Sequence, residues 1–151
     1  MARYASKRLR AGRYSETGRI YLLTTVTLKR APLFTDWYSG RCIARALKAE
    51  HDAGRVHSFA WVVMPDHLHW LFELQHGDLS SLACRIKAAS ALATNAHLGR
   101  LGPVWQKGFH DRALRREEDL KVAARYVVHN PVRAGLVAKV GDYPLWDAMW
   151  L

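Results

Sequence analysis

Apolar runs along the chain predict the strands of the fold. Ile20–Leu28 is rich in β-branched residues and contains no breaker, which predicts a buried strand. Two further strand-like runs, Val56–Met64 and His67–Leu74, are separated only by a Pro-Asp dipeptide, which predicts an antiparallel hairpin. A less regular run, Val104–Leu114, suggests a fourth strand that is interrupted by a glycine.

Three segments instead carry apolar residues at helical spacing. They span about residues 36–54, 78–99 and 117–130. Thr35 or Asp36 can cap the first helix, and Asp78 or Ser80 can cap the second. Acidic residues favour the start of the third helix, and a proline directly after Asn130 disfavours its continuation.

The predicted order βαββαβα indicates an α+β fold of the ferredoxin-like split βαβ type. A central antiparallel sheet and a C-terminal helix are expected. Residues 1–19 hold six basic side chains against one acidic one and lack apolar periodicity, so they predict a basic N-terminal arm. Residues 20–151 are long enough for one compact domain with a sizeable core.

The net charge of the chain indicates a polyanionic partner. The chain has 23 Lys and Arg against 13 Asp and Glu, a formal net charge of +10, which favours nucleic acid as the partner. No apolar run approaches a membrane span and no secretory signal is recognisable, so a cytoplasmic protein is expected. Cys42 and Cys84 lack the spacing of a zinc or redox motif and are interpreted as reduced.

Two histidines stand at alternate positions of the predicted third strand. Successive strand side chains point to opposite faces, so His67 and His69 share one face while Leu68 and Trp70 share the other. Two imidazoles at this spacing can converge on one divalent cation. The alternative is that both are ordinary, half-exposed strand residues that form hydrogen bonds.

The predicted third helix adds a tyrosine and an asparagine. At about 100° per residue, Tyr126 and Asn130 fall on one flank beside the apolar stripe. A phenol with an ordinary pKa of about 10 is a weak nucleophile at neutral pH and needs a positioned electrophile and a cation. The Asn130 carboxamide oxygen is a candidate third metal ligand. Taken alone, Tyr126 also fits an amphipathic boundary residue.

These segments resemble a known family. MPDHLHWLFEL resembles the paired-histidine motif of the HUH single-strand endonucleases. RYVVHNPVRAGLV, with WQKGFHDRALRREEDL before it, resembles the REP-associated tyrosine transposases, and the likeness extends over nearly the whole chain. It implies a ferredoxin-like fold, a divalent metal such as Mg²⁺ or Mn²⁺, and cleavage of single-stranded DNA near a hairpin.

The resemblance also implies roles for single residues. His67 and His69 match the metal-binding pair, Tyr126 matches the nucleophile that forms a 5′-phosphotyrosine, and Asn130 falls where the family has a polar helix residue near the metal. Asp66 occupies a position where relatives commonly have Asn. Single-stranded or hairpin DNA is the expected partner of a monomer or homodimer.

Basic side chains on the arm, the second helix and the segment before the third helix are candidate DNA contacts. They are Arg8, Arg10, Arg13, Lys87, Lys107, Arg112, Arg115 and Arg116. Two other functions stay open. One is a hairpin-binding protein with little or no catalysis, and the other is a metal-dependent phosphoesterase that uses activated water and a further ligand such as Glu73.

Overall fold

The computed structural model describes residues 15–115 and 119–149. Its five strands form one antiparallel sheet in the order β4-β1-β3-β2-β5. The strands are β1 (Ile20–Val26), β2 (Val56–Met64), β3 (His67–Leu74), β4 (His110–Ala113) and β5 (Trp146–Ala148). β3 lies between β1 and β2, as the split βαβ arrangement requires. The predicted α+β fold and its central hairpin are therefore confirmed.

The helices are α1 (Trp37–Asp52), α2 (Leu79–Leu98), α3 (Leu120–Val128) and α4 (Asn130–Arg133). Aspartates cap the first three by accepting backbone N–H groups of the first turn: Asp36 from Ser39, Asp78 from Ser81 and Asp119 from Lys121. The sequence left Thr35 and Ser80 as alternative caps, and the structure selects the aspartates. Among the described residues, no helix combines the length and apolarity that a membrane span requires.

Helices cover both faces of the sheet. On one face α1 and α2 bury Leu23, Trp70 and Phe72, and on the other face α3 packs over Val62 and Leu71. The alternation predicted for β3 holds, since Leu68, Trp70, Phe72 and Leu74 all lie in the α1/α2 core. The histidine face of β3 is therefore the face that α3 covers.

The predicted fourth strand is shorter than expected. Only His110–Ala113 pairs regularly with β1, while Trp105 forms an isolated bridge with Thr27. Gly108 lies between them with a φ of 78°, a conformation that takes the backbone out of the strand. β5 was not predicted, because three residues carry too little periodicity to be recognised.

The predicted arm is partly folded. Gly18 N donates to the carbonyl of Leu74 at 2.7 Å, and Leu74 N donates to the carbonyl of Arg19 at 3.0 Å. Leu79 N donates to the Ser15 hydroxyl at 3.1 Å. The folded domain therefore extends to at least Ser15, and the basic residues Arg8, Arg10 and Arg13 lie outside the described residues.

The third predicted helix does not continue to Asn130. α3 ends at Val128, and a separate short helix begins at Asn130. Pro131 supplies no N–H and disfavours a helical residue before it, so the ladder is interrupted. The Tyr126 carbonyl, which would accept the Asn130 N–H in a continuous helix, accepts a hydrogen bond from Arg133 Nη2 at 2.6 Å instead.

Candidate active site around two histidines

The two histidine rings lie against each other on the α3 side of the sheet. Their centroids are 4.8 Å apart and the rings meet edge to face. His67 Nδ1 donates to Asp66 Oδ1 at 2.7 Å, and His69 Nδ1 lies 2.8 Å from the Thr24 hydroxyl. In the tautomers with a proton on Nδ1, each Nε2 lone pair is left for a ligand. Metal-binding histidines are commonly oriented by such a partner on the other nitrogen.

Asp66 is in turn held by an arginine. Arg30 Nε donates to Asp66 Oδ2 at 2.8 Å. Burial raises the pKa of Asp66, but the hydrogen bond to His67 and the charges of His67 and Arg30 outweigh it, so the pKa lies below its ordinary value. The carboxylate is therefore ionised at neutral pH and orients the His67 ring.

The backbone before this arginine is unusual. Lys29 and Arg30 have φ values of 55° and 56°, in the left-handed region that L side chains seldom adopt. Thr27 stabilises the turn, since its hydroxyl lies 2.8 Å from the carbonyl of Ala31 and 3.1 Å from that of Asp66. The turn directs Arg30 toward the start of β3, and sequence reasoning did not identify it.

Burial strongly affects the protonation of His69. Burial lowers the pKa of His69 to about 4, and electrostatic interaction with His67 and Arg133 contributes in the same direction. The ring is therefore neutral at physiological pH, which is the state that binds a metal.

Arg133 contacts the candidate nucleophile Tyr126. Its guanidinium carbon lies 3.9 Å from the centroid of the Tyr126 ring, and the same side chain donates to the Tyr126 carbonyl. Its charge also acts on His69. Tyr126 is 59% exposed, so the residue is accessible from solvent. Sequence reasoning also missed Arg133; the available signal was a cation two residues after Pro131, in the short helix α4.

Asn130 is the half-buried first residue of α4. Because α3 ends at Val128, the regular helical spacing that would place Tyr126 and Asn130 on one flank is interrupted between them. Within residues 15–115 and 119–149, no group of three or more His, Cys, Asp or Glu side chains is arranged to hold a metal. Glu73, the ligand of the alternative phosphoesterase, accepts a hydrogen bond from Gln75 Nε2 at 3.2 Å.

The histidine face continues across the neighbouring strands. Thr24 pairs with His69 on one side and with His110 on the other, so the three side chains share this face. Arg112 pairs with Leu22, two residues along β1, and lies on the same face. A further histidine and a cation thus extend this face toward β4.

The candidate DNA contacts occupy different environments. Lys107, Arg112 and Arg115 are exposed, whereas Arg116 lies outside the described residues. The Lys87 ammonium is half-buried and donates to the carbonyls of Gln106, at 2.8 Å, and Gly108. Lys87 thus binds the loop before β4, and its contact with DNA stays a prediction.

Comparison with known proteins places the chain among transposases. The family described as "Transposase IS200 like" matches residues 17–130. A REP-associated tyrosine transposase of Escherichia coli K12 is 34% identical over 85 residues, which cover 56% of this chain and 50% of that protein. This match thus spans half the length of the E. coli relative.

Two further matches cover more of the chain. A protein of Haemophilus influenzae, named as a candidate REP-associated tyrosine transposase, is 28% identical over 140 residues, which span 84% of this chain and 78% of that protein. A solved structure of a REP-associated tyrosine transposase bound to a REP hairpin matches with a TM-score of 0.71 and 29% identity. That match covers 89% of this chain and 79% of the solved one.

Proposed function

Because this chain belongs to the IS200-like transposase family, we propose that it is a metal-dependent single-stranded DNA endonuclease and strand transferase. Its substrate is a hairpin of the REP type, and Tyr126 is its nucleophile. The observation that carries the proposal is the pair His67 and His69, each ring oriented by a polar partner at Nδ1, together with Arg133 stacked on Tyr126. The REP hairpin in the related solved structure supports the substrate class.

The donor set fits a divalent cation. His67 and His69 each engage Nδ1 with a polar partner and can present Nε2, and Asn130 can add an amide oxygen. The metal would be Mg²⁺ or Mn²⁺, with remaining positions for water and phosphate oxygens. When bound, it supplies a Lewis acid that polarises a phosphate oxygen.

The chain's own residues perform the exchange of bonds. The Tyr126 hydroxyl oxygen attacks phosphorus and forms the 5′-phosphotyrosine bond as the bond from phosphorus to the 3′ oxygen breaks. The phenol loses its proton to solvent and the leaving 3′ oxygen gains one. One phosphodiester replaces another, so a 3′-hydroxyl can later reverse the step and rejoin strands without a nucleotide energy source.

Arg133 orients the reacting ring. Its stacking on one ring face and its hydrogen bond to the backbone of the same residue restrict Tyr126, which is 59% exposed. Restricting the nucleophile raises the rate because less orientational freedom is lost on reaching the transition state.

A covalent adduct tests the proposal. Protein is incubated with labelled single-stranded hairpin DNA and Mn²⁺, and the products are separated on a denaturing gel. We expect a labelled protein band that chelator and Tyr126→Phe both abolish. An adduct formed by Tyr126→Phe would refute the nucleophile. Hairpin binding without an adduct, for any REP-type hairpin tried, would favour the alternative of a DNA-binding protein without catalysis.

A further inference from the structure

The carboxylate of Asp66 connects two side chains beside the histidine pair. Its Oδ1 accepts the His67 Nδ1 proton at 2.7 Å, and its Oδ2 accepts the Arg30 Nε proton at 2.8 Å. The side chains of His67 and Asp66 are 16% and 22% exposed, whereas that of Arg30 is 59% exposed. Arg30 thus lies at the surface, where a substitution seldom disturbs the fold.

The turn that carries Arg30 is attached to the backbone of Asp66. The Asp66 carbonyl accepts hydrogen bonds from Thr27 N at 2.9 Å and from the Thr27 hydroxyl at 3.1 Å. Farther along the turn, Lys29 and Arg30 both adopt left-handed φ values, which glycine adopts with less strain. Backbone strain persists where the surrounding structure imposes it, and it is concentrated at functional sites. The Arg30 side chain is therefore a candidate for a functional role.

Hydrogen-bond chemistry makes Arg30 and Asp66 a matched pair. An arginine side chain only donates and an ionised carboxylate only accepts, so Asp66 can bind Arg30 and still accept the proton of His67 Nδ1. A carboxamide at position 66 would have a single oxygen. With that oxygen turned toward Arg30, the amide N–H groups would face His67, whose Nδ1 would have to accept. The proton of the neutral ring would then lie on Nε2, which leaves no lone pair there for a metal.

The second histidine has a different kind of partner. His69 Nδ1 lies 2.8 Å from the Thr24 hydroxyl, and a hydroxyl can donate or accept by rotating. Thr24 is therefore compatible with either neutral tautomer of His69, whereas Asp66 is compatible with only one neutral tautomer of His67. The two neighbouring rings are not equivalent, and only the free nitrogen of His67 is fixed by its partner.

We infer that Arg30 is a positioning residue that acts through Asp66 and holds the Nε2 lone pair of His67 ready for a divalent cation. Arg30 orients the carboxylate, and the carboxylate selects the tautomer of His67. His69 adopts its metal-binding tautomer when the cation binds. The inference rests on the proposed function only in the assignment of a metal to the two histidines, and it is independent of the nucleophile.

The ¹⁵N chemical shifts of the histidine rings in metal-free protein report which nitrogen carries the proton. At about pH 8, where an ordinary histidine is neutral, the parent protein should show the His67 proton on Nδ1. Asp66→Asn should move this proton largely to Nε2. Adding Arg30→Met to Asp66→Asn should move it back toward Nδ1, because the amide oxygen is then free to face His67.

Binding of Mn²⁺ alone, followed by loss of the free-ion EPR signal, gives a second readout. Asp66→Asn should weaken binding roughly ten- to hundredfold, the effect of losing the partner of a ligating histidine. Arg30→Met alone should weaken binding about two- to fivefold, the effect of one exposed ion pair. In the Asp66→Asn background, the same change should strengthen binding. If Arg30 acted only by its charge, its removal would strengthen cation binding in both backgrounds.

Lys29→Met is the matched control, because it removes an exposed cation from the same turn and retains the pair of Arg30 with Asp66. It should keep the His67 proton on Nδ1 and bind Mn²⁺ within about twofold of the parent protein. The inference is overturned if Arg30→Met strengthens Mn²⁺ binding or leaves it unchanged. It is also overturned if Asp66→Asn leaves the His67 proton on Nδ1, or if Lys29→Met weakens binding as much as Arg30→Met.

The adduct experiment separates this inference from the proposed function. A normal Tyr126 adduct, together with an unchanged His67 tautomer in Asp66→Asn, overturns the inference alone. No adduct, together with the expected tautomers and Mn²⁺ affinities, overturns the proposed reaction and leaves Arg30 as a positioning residue of a metal site.

Discussion

Replacing Arg133 by Gln tests whether this arginine prepares Tyr126 for the attack that we propose. The substitution removes the guanidinium that lies 3.9 Å from the Tyr126 ring centroid and donates to its carbonyl. An exposed cation–π contact contributes about 0.5–1 kcal/mol and the hydrogen bond about 1 kcal/mol. Losing both from the transition state, about 1.5–2 kcal/mol, should slow adduct formation roughly ten- to thirtyfold.

The assay is single-turnover adduct formation on labelled hairpin DNA at saturating protein, with hairpin affinity measured separately. Arg125→Gln is the matched control, because it removes an exposed cation from α3 directly before Tyr126. Arg133→Lys keeps the charge but loses the planar stack, and should fall between the parent protein and Arg133→Gln. Equal rates for Arg125→Gln and Arg133→Gln would refute the reasoning, as would a loss confined to hairpin affinity.

Two further predictions concern stability. Burial lowers the pKa of His69 from 6.5 to about 4, so the unfolded chain binds more protons in this range. The free energy of unfolding of metal-free protein should therefore fall as the pH drops from about 6.5 to about 4, by at most about 3 kcal/mol. Urea titrations at several pH values should show this decrease in stability. If the His69→Asn variant lost as much stability over the same pH range, the decrease could not be assigned to His69. Lys87→Met removes the ammonium that donates to two loop carbonyls. It should lower the free energy of unfolding by about 1–3 kcal/mol. As a control, Lys107→Met removes an exposed lysine of the same loop and should change the free energy of unfolding by no more than about 0.5 kcal/mol. If chemical denaturation showed equal losses of stability in the two variants, the structural role of Lys87 would be contradicted.

Local rules account for the elements that the sequence predicted well. Asp36 and Asp78 cap helices because a short carboxylate reaches backbone N–H groups in the first turn, which depends only on neighbouring residues. The hairpin of β2 and β3 follows from two apolar runs with a two-residue connection. Such interactions span few residues and need no knowledge of the rest of the fold.

The end of α3 shows where local rules were insufficient. Pro131 indicated a boundary, but the pattern could not place it at Val128 or reveal that Arg133 replaces the missing donor at the Tyr126 carbonyl. A long side chain that folds back over seven residues has many competing partners, and packing of α3 and α4 on the sheet selects among them.

By itself the sequence determined that His67 and His69 share a face, because side chains alternate along any strand. Only the tertiary structure decided what surrounds them. Thr24 reaches His69 across 45 residues because β1 pairs with β3 in one register, and a shift of one residue would turn Thr24 to the other face. Arg133 stacks on the Tyr126 ring and donates to its carbonyl because the regular helix ends at Val128. Strand register and helix packing are set by the whole core, so these contacts could not be read from neighbouring residues.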